Sequence, residues 1–320
     1  MRKIRTLLAS AIALTLSATF GASASFAGNG PSPLSGIEGG GGNPVVMVKI
    51  DNVGRARPHF NTSKADMIFV EQVEGGLTRI AAIYNSSFPT KVGPVRSARI
   101  SDLEILEQFD SPGFAYSGAN KKLLPVIAKS PLVRFGPGLN GATYSRNSSR
   151  KSPHNLMLNL SKTVSKAKGL GAVKDIGLIF SQTAPEGGKA AKNFKAKWPA
   201  SSVSGKWTGN GWAISLDNKA QKDAVTGKAI TAQTVVIQFV TQTTSGYGDK
   251  FGGKTPLVKT VGAGKAIILR DGKRYDGEWS RPAANSGTTY TLNGAQMPFD
   301  VGQVWVLLVP NNKKGTYTVS

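Results

Sequence analysis

The sequence predicts an α+β protein, with a mixed-sheet N-terminal domain and flanking helices followed by a smaller, mainly antiparallel β C-terminal domain. Residues 45–174 carry short apolar runs between helix-start signals, whereas residues 175–320 carry apolar runs separated by Asn-Gly and Asp-Gly pairs. Such pairs between apolar runs are typical of hairpins. A length of 320 residues fits two domains once targeting segments are set aside.

The first residues are typical of a targeting segment. Residues 1–27 have the pattern of a secretory signal peptide, with three basic residues, a short apolar stretch and small residues that allow cleavage after Ala24 or Ala27. Residues 28–44 are rich in Gly, Pro and Ser, and we expect a linker too poor in apolar groups to pack. Order is therefore predicted to begin near Val45.

Cysteine content and charge limit the possible functions. The chain has no cysteine, so we expect no disulfide, no thiolate chemistry and no lipid-bearing cysteine. The predicted localisation is secreted or extracytoplasmic, with wall association possible, and not a lipoprotein. The formal net charge is +22, and residues 111–174 contain eleven Lys or Arg and no acid. This charge favours an anionic wall polymer, an acidic protein partner or peripheral contact with anionic lipid, or it serves only solubility and unspecific adhesion.

The N-terminal part offers a hairpin among its predicted strands. Three apolar runs are predicted as strands: 45–52, 67–73 and 78–84. Gly75-Gly76 predicts a two-residue turn between the last two, which would place Gln72 opposite Arg79. Charged residues lie within these runs, and charges next to a core are costly unless they are paired or functional.

A helix is predicted directly after an arginine-rich loop. Ser101 and Glu104 have the spacing of a capping box, so the helix should begin there. Arg96 and Arg99 would then precede its first turn, where the helix dipole and unpaired N–H groups favour anions. Further helices are predicted at 122–129, 160–171 and 189–198.

The C-terminal part has the signals of an antiparallel β system. A short strand is predicted at 178–182. Four dipeptides predict hairpin turns: Asn210-Gly211, Asp271-Gly272, Asp276-Gly277 and Asn293-Gly294.

Several sequence blocks together resemble the YerB-like family of exported bacterial proteins, a domain of unknown function. The N-terminal blocks are IDN-x4-RP (50–58), KADMIFVEQVEGGLTR (64–79), VGPVRSAR (92–99) and R-x2-PHNL (150 and 153–156), and residues 261–310 resemble the C-terminal domain of the family. The resemblance implies a two-domain mixed α/β structure outside the membrane and supplies no chemistry. Many members resemble lipoproteins, and this chain departs from them in having no cysteine.

Polar residues in the N-terminal blocks are the candidate site. Candidates for general acid or base catalysis are Glu71, Glu74, Asp102 and His154. Candidates for ligand binding are Asp51, Asn52, Arg57, Arg79, Arg96, Arg99, Arg150 and Asn155. The alternatives stay open: the acids and arginines form cross-strand salt bridges, Asp51-Asn52 forms a turn, and His154 is a satisfied polar residue. We expect no metal site and no cofactor, because two histidines without cysteine make a poor ligand set.

Two functions follow from these candidates. The first is binding of an anionic wall component or protein partner in the Arg/carboxylate site. The alternative is an enzyme that acts on an envelope substrate by phosphoryl or glycosyl transfer or by hydrolysis. Nucleic acid is not favoured, because the basic segment lacks interleaved aromatic residues. Convergence of Glu71, Arg79, Arg96, Arg99 and His154 on an open cleft would indicate a site, whereas buried pairs would indicate a structural network.

Overall fold

The computed structural model describes residues 30–249, 252–312 and 314–320. The signal peptide predicted at residues 1–27 lies outside this part of the chain. Among the described residues, the helices are α1 (Ile100–Leu106), α2 (Leu124–Lys129) and α3 (Leu160–Lys166). The predicted α+β class is therefore correct in its mixed and antiparallel sheets, but the protein is mostly β and its helices are short. No helix in this part is both long and apolar enough to cross a membrane.

The strands cover both halves of the described chain. They are β1 (Val46–Ile50), β2 (Met67–Gln72), β3 (Thr78–Tyr84), β4 (Gly113–Ala115), β5 (Val133–Phe135), β6 (Tyr144–Arg146), β7 (Leu156–Leu158), β8 (Lys189–Ala190), β9 (Asn193–Trp198), β10 (Ser201–Trp207), β11 (Trp212–Leu216), β12 (Lys219–Ala220), β13 (Thr231–Ala232), β14 (Thr234–Val240), β15 (Gln242–Gly248), β16 (Lys254–Val258), β17 (Gly262–Arg270), β18 (Lys273–Arg281), β19 (Thr289–Leu292), β20 (Ala295–Gln296), β21 (Val304–Pro310) and β22 (Thr316–Val319).

One large sheet joins the N-terminal and C-terminal parts of the chain. In the described residues it has the order β20-β19-β18-β17-β14-β21-β2-β3-β1-β4-β5, with β8 beside β18. Strand β21 pairs in parallel with both β2 and β14, so it lies between strands of the two predicted domains. The boundary between residues 174 and 175 stays a prediction, and the sheet continues across it.

The two faces of this sheet carry different covers. A second sheet, ordered β12-β11-β10-β9-β22 with β13 beside β11, packs on one face around buried Trp198, Trp212 and Trp305. Helix α1 packs on the other face through Leu103 and Leu106. Both leucines are buried. The face of the sheet that α1 covers also carries the side chains of Lys49, Glu71 and Arg79.

The hairpin of β2 and β3 forms as predicted, but its register differs. Glu71 lies opposite Arg79, and Gln72 lies opposite Thr78. The prediction that Gln72 opposes Arg79 is wrong, because the turn contains three residues, Glu74–Gly76. Both glycines have positive φ, and a Cβ at Gly76 would lie 2.6 Å from the Pro199 Cβ, so close packing requires glycine there.

The predicted capping box of α1 is wrong, because the helix begins at Ile100. The Asp102 carboxylate accepts the Arg99 N–H at 2.7 Å and takes the capping role. Ser101 Oγ instead accepts from Val258 N at 3.0 Å, and Glu104 Oε1 accepts from Val261 N at 2.9 Å. Both side chains therefore tie α1 to the end of β16 and the residues that follow it.

Several C-terminal elements differ from their predictions. Residues 189–198 form β8 and β9 rather than a helix, because Phe194, Ala196 and Trp198 alternate toward the core. In the segment 178–182, Phe180 makes an isolated bridge and no extended strand. The pair Asp276-Gly277 lies inside β18, where a Cβ at residue 277 would meet the Thr291 carbonyl oxygen at 2.4 Å. The other three hairpin turns form as predicted.

The segment predicted as a linker is packed over its described residues. Leu34 is fully buried, and Ser35 Oγ donates to Asp66 Oδ1 at 2.5 Å. Asn43 Nδ2 donates to the Asn85 carbonyl oxygen at 3.0 Å. The expectation that order begins near Val45 is therefore wrong: side-chain hydrogen bonds to buried partners hold this polar segment where apolar content alone would not.

Candidate functional site

Strand alternation places three charged residues on the face of the sheet that α1 covers. Lys49 lies two residues after Met47 on β1, and Glu71 lies two residues after Phe69 on β2. Arg79 lies opposite Glu71 on β3. Since alternate residues share a face, these side chains point toward α1. Helix α1 adds Asp102 to the same layer.

The first group in this layer is a buried ionic triad, Lys49–Glu71–Asp102. The Lys49 ammonium donates to Glu71 and, at 2.7 Å, to Asp102 Oδ1. All three side chains have zero exposure. Burial raises the pKa of Glu71 to about 7, because the Lys49 charge only partly offsets the lost hydration and the Asp102 charge adds to the shift. The Glu71 Oε2 atom has no hydrogen-bond partner, so this carboxyl is held in a costly environment.

The second group anchors the hairpin turn to the loop before α1. Arg99 donates through Nε and Nη2 to Glu74 Oε2, at 3.0 and 2.6 Å. Thr255 donates to the other oxygen of Glu74. Burial alone would raise the pKa of Glu74, but the Arg99 guanidinium holds it below its ordinary value. Arg99 also donates to the Ala98 carbonyl oxygen at 2.9 Å, so its hydrogen-bonding capacity is largely used within the fold.

The third group, Asp51–Arg96–His154, reaches the surface. Asp51 Oδ2 lies 2.7 Å from His154 Nδ1 and 3.1 Å from Arg96 Nε. The Asp51 side chain is 3% exposed, whereas Arg96 is 26% and His154 18% exposed. This cluster therefore has its acid beneath and its bases toward solvent.

Arg79 joins the second and third groups electrostatically. Its Nη1 donates to the Ser97 carbonyl oxygen at 2.7 Å. Burial, together with the charges of Arg99 and Arg96, lowers the pKa of Arg79 to about 10. Arg79 is thus repelled by both Arg96 and Arg99, and Arg99 is the buried member of the three.

The remaining predicted binding residues hold the surrounding loops. Arg57 donates to Asn52 Oδ1 and to Asp217 Oδ2, at 3.0 and 2.9 Å, and so links the first strand to the second sheet. Arg150 donates to the Ala56 and Pro58 carbonyl oxygens at 2.8 and 2.7 Å. These arginines therefore position the site rather than line it.

Asn155 and His59 also serve this positioning. Asn155 Oδ1 accepts from Arg146 at 2.7 Å, and its amide donates to the Arg150 carbonyl oxygen at 2.9 Å. His59 Nε2 lies 2.8 Å from the Asp51 carbonyl oxygen, and burial lowers the pKa of His59 to about 4. These contacts fix the loop that carries His154 over Asp51.

The structure thus separates the predicted site residues into two sets. Asp51, Arg96 and His154 meet at the surface, whereas Glu71 and Asp102 are buried and paired. Sequence reasoning missed Lys49, although a single lysine within the apolar run at 45–50, beside acids on the neighbouring strand, was a usable signal. In the described residues, no group of three or more His, Asp or Glu side chains is arranged to hold a metal.

Comparison with known proteins identifies the class. Residues 34–173 match the family model described as Protein of unknown function (DUF3048) N-terminal domain, and residues 194–306 match the C-terminal domain of the same family. The chain therefore belongs to this family, and the predicted YerB-like resemblance is confirmed.

One relative and one solved structure carry the YerB name. The chain is 26% identical over 282 residues to the "Putative lipoprotein YerB" of Bacillus subtilis (strain 168), which covers 84% of this chain and 81% of the relative. It is also similar to a crystal structure of the YerB protein from Bacillus subtilis, with a TM-score of 0.76, 22% identity, and coverage of 90% of this chain and 99% of that one. The solved structure supports the fold alone.

The relative corrects the predicted localisation. The sequence was expected to exclude a lipoprotein because it has no cysteine. That expectation is contradicted by the matching relative, whose name is "Putative lipoprotein YerB".

Proposed function

We propose that the protein binds an anionic polymer of the cell envelope through the Asp51–Arg96–His154 cluster. The observation that carries this proposal is the ordering of charge by depth. Asp51 is 3% exposed beneath Arg96 and His154, which are 26% and 18% exposed. A phosphate or carboxylate that approaches from solvent meets the bases first, and a guanidinium can grip either group through paired hydrogen bonds.

The surroundings of the cluster support a negative ligand. Arg96 and Arg99 both lie close enough to Arg79 that their charges lower its pKa. An anion bound at Arg96 would relieve its repulsion of Arg79. Residues 111–174 add eleven basic side chains without an acid, and such a field attracts extended polyanions more than small ions.

The test is binding of poly(glycerol phosphate) to the purified full chain at low and high salt. We expect binding at low salt that weakens as salt rises. Arg96→Ala should weaken it about tenfold, because a charge-assisted hydrogen-bond pair is lost. The matched control is Lys228→Ala, which removes one exposed charge elsewhere and should change affinity less than about twofold.

Two results would overturn the proposal. Equal losses for Arg96→Ala and Lys228→Ala would mean that net charge alone drives binding. Absence of binding to poly(glycerol phosphate), with binding to an acidic peptide such as polyglutamate, would assign the cluster to a protein partner instead.

A second candidate is an enzyme, and the contact between His154 and Asp51 favours it. His154 Nδ1 lies 2.7 Å from Asp51 Oδ2. A buried carboxylate on Nδ1 orients the ring and leaves Nε2 toward a ligand, which is the arrangement of a general acid or base. Glu71 and Asp102 are fully buried in the triad, so this alternative rests on His154 rather than on those acids.

The two candidates differ in what His154→Gln should change. An enzyme would release phosphate- or sugar-bearing products from an envelope polymer preparation, followed by phosphorus NMR, and His154→Gln would abolish release while binding remained. If wild-type protein leaves the polymer intact and His154→Gln changes only affinity, the enzymatic alternative fails.

A further inference from the structure

A second recessed surface lies far from the Asp51 cluster in the sequence. A cavity of about 620 Å³ opens where β14, β17 and β18 approach β22 of the second sheet. Its size falls within the range of small-molecule binding sites. None of its lining residues belongs to the candidate site described above.

Three aromatic rings form the apolar part of this cavity. They come from strands distant in sequence: Phe239 on β14, Trp279 on β18 and Tyr317 on β22. The centroids of the Phe239 and Tyr317 rings are 5.1 Å apart, with the rings tilted by 59°. Tyr317 is 39% exposed. Trp279 Nε1 donates to the Phe239 carbonyl oxygen at 2.9 Å, which fixes the indole in the wall.

Glycine at position 264 lets the Trp279 indole pack against β17. Gly264 lies across the strand pair from Trp279. A Cβ at Gly264 would lie 2.9 Å from Trp279 Nε1 and 3.1 Å from the Phe239 carbonyl oxygen. A side chain at this position would therefore clash with the hydrogen bond that holds the indole. Trp279 itself is 3% exposed, so Tyr317 offers the accessible aromatic face.

The rim of the cavity is cationic and polar. Lys259 and Lys265 both line it and are exposed. Lys259 Nζ lies 3.7 Å from Glu104 Oε2. This separation is long for an ion pair, so an anionic ligand can take the place of Glu104. Asn311 and Thr241 supply an amide and a hydroxyl, whose atoms lie 3.4 Å apart. The cavity thus combines flat apolar surface, neutral hydrogen-bonding groups and positive charge.

From this combination we infer that the cavity binds an acidic saccharide. The C–H face of a pyranose ring packs on Tyr317 and the exposed part of Phe239, where contact buries apolar area. The amide and hydroxyl of Asn311 and Thr241 match ring hydroxyl groups. The ammonium groups of Lys259 and Lys265 match a carboxylate or phosphate substituent. A neutral saccharide would use the rings alone, and a simple anion the lysines alone.

The experiment measures binding of a tri-galacturonate to the full chain by calorimetry, with maltotriose as the neutral probe and AMP as an aromatic anion. Wild-type protein should prefer tri-galacturonate. Tyr317→Ala should weaken its binding about fivefold to tenfold, since an aromatic contact is lost. Lys265→Gln should weaken binding of tri-galacturonate about threefold to tenfold and leave binding of maltotriose unchanged.

Controls separate this site from the proposed function. Val225→Ala and Lys219→Gln remove an exposed apolar and an exposed basic side chain elsewhere, and neither should change binding. Arg96→Ala should also leave tri-galacturonate binding intact, while Tyr317→Ala should leave poly(glycerol phosphate) binding intact. Unchanged affinity in Tyr317→Ala, absence of tri-galacturonate binding, or tighter binding of AMP would overturn the inference.

Discussion

The buried triad and the Asp51 cluster are built from similar parts and differ in depth. In both, a charged residue on β1 or directly after it, Lys49 or Asp51, meets two partners of the opposite kind from elsewhere in the chain. Lys49, Glu71 and Asp102 have no exposed surface, whereas Arg96 and His154 reach solvent over Asp51. Ion pairing by itself therefore does not distinguish a structural network from a binding site. The distinction comes from which charges are exposed to solvent, because the exposed charges determine which ligand can bind.

The largest expected effect would come from removing the base of the triad. Lys49→Met should lower the free energy of unfolding by about 3–5 kcal/mol, because it leaves Glu71 and Asp102 buried together without a counter-charge. Denaturant unfolding at pH 7 measures this loss. The double variant Lys49→Met with Glu71→Gln should recover part of it. A loss below about 1 kcal/mol for the single variant would contradict the structural role of the triad.

A smaller effect should appear in the pH dependence of stability. Burial raises the pKa of Glu71 from 4.5 to about 7 and lowers the pKa of His59 from 6.5 to about 4. Between pH 4.5 and 7 the folded state keeps the Glu71 proton that the unfolded state has lost, so stability falls as pH rises. Between pH 4 and 6.5 the unfolded state binds the His59 proton, so stability rises. Each contribution is on the order of 3 kcal/mol.

The two contributions should nearly cancel in the wild-type protein between pH 4.5 and 6.5. Glu71→Gln should uncover the rise with pH that His59 produces, and His59→Gln should uncover the fall that Glu71 produces. Unfolding free energies measured at several pH values across this range test the signs. Slopes of the same sign in both variants would show that other groups control the acid side of the stability curve.

The sequence predicted the elements around the site better than the way they come together. The hairpin of β2 and β3 followed from its apolar runs and glycines, but its register is that of a three-residue turn. In this turn Gly76 packs against Pro199, which is far from the hairpin in sequence. The segment 189–198 has helix-forming Ala and Lys, yet its alternating Phe194, Ala196 and Trp198 fit the core as a strand, so packing overrode local propensity.

Contacts distant in sequence explain what could not be predicted about the sites. Strand β21 lies between β2 and β14 in parallel pairings, and no local pattern specifies such neighbours. Asp51, Arg96 and His154 were each identified as candidates, but their contact depends on three separate loops. The aromatic cavity takes Phe239, Trp279 and Tyr317 from separate strands, so each aromatic residue alone gave no sign of a site.

The smallest expected effect on stability distinguishes the cluster from the triad most directly. Arg96→Ala should lower the free energy of unfolding by less than about 1 kcal/mol, because a partly exposed ion pair contributes little. Asp51 would keep the contact of its Oδ2 with His154 Nδ1, so its buried carboxylate would not lose its last partner. Denaturant unfolding at pH 7, with Lys228→Ala beside it, measures the difference. A loss as large as that of Lys49→Met would place Arg96 in the structural network, because substitution of a binding residue should lower ligand affinity more than the stability of the fold.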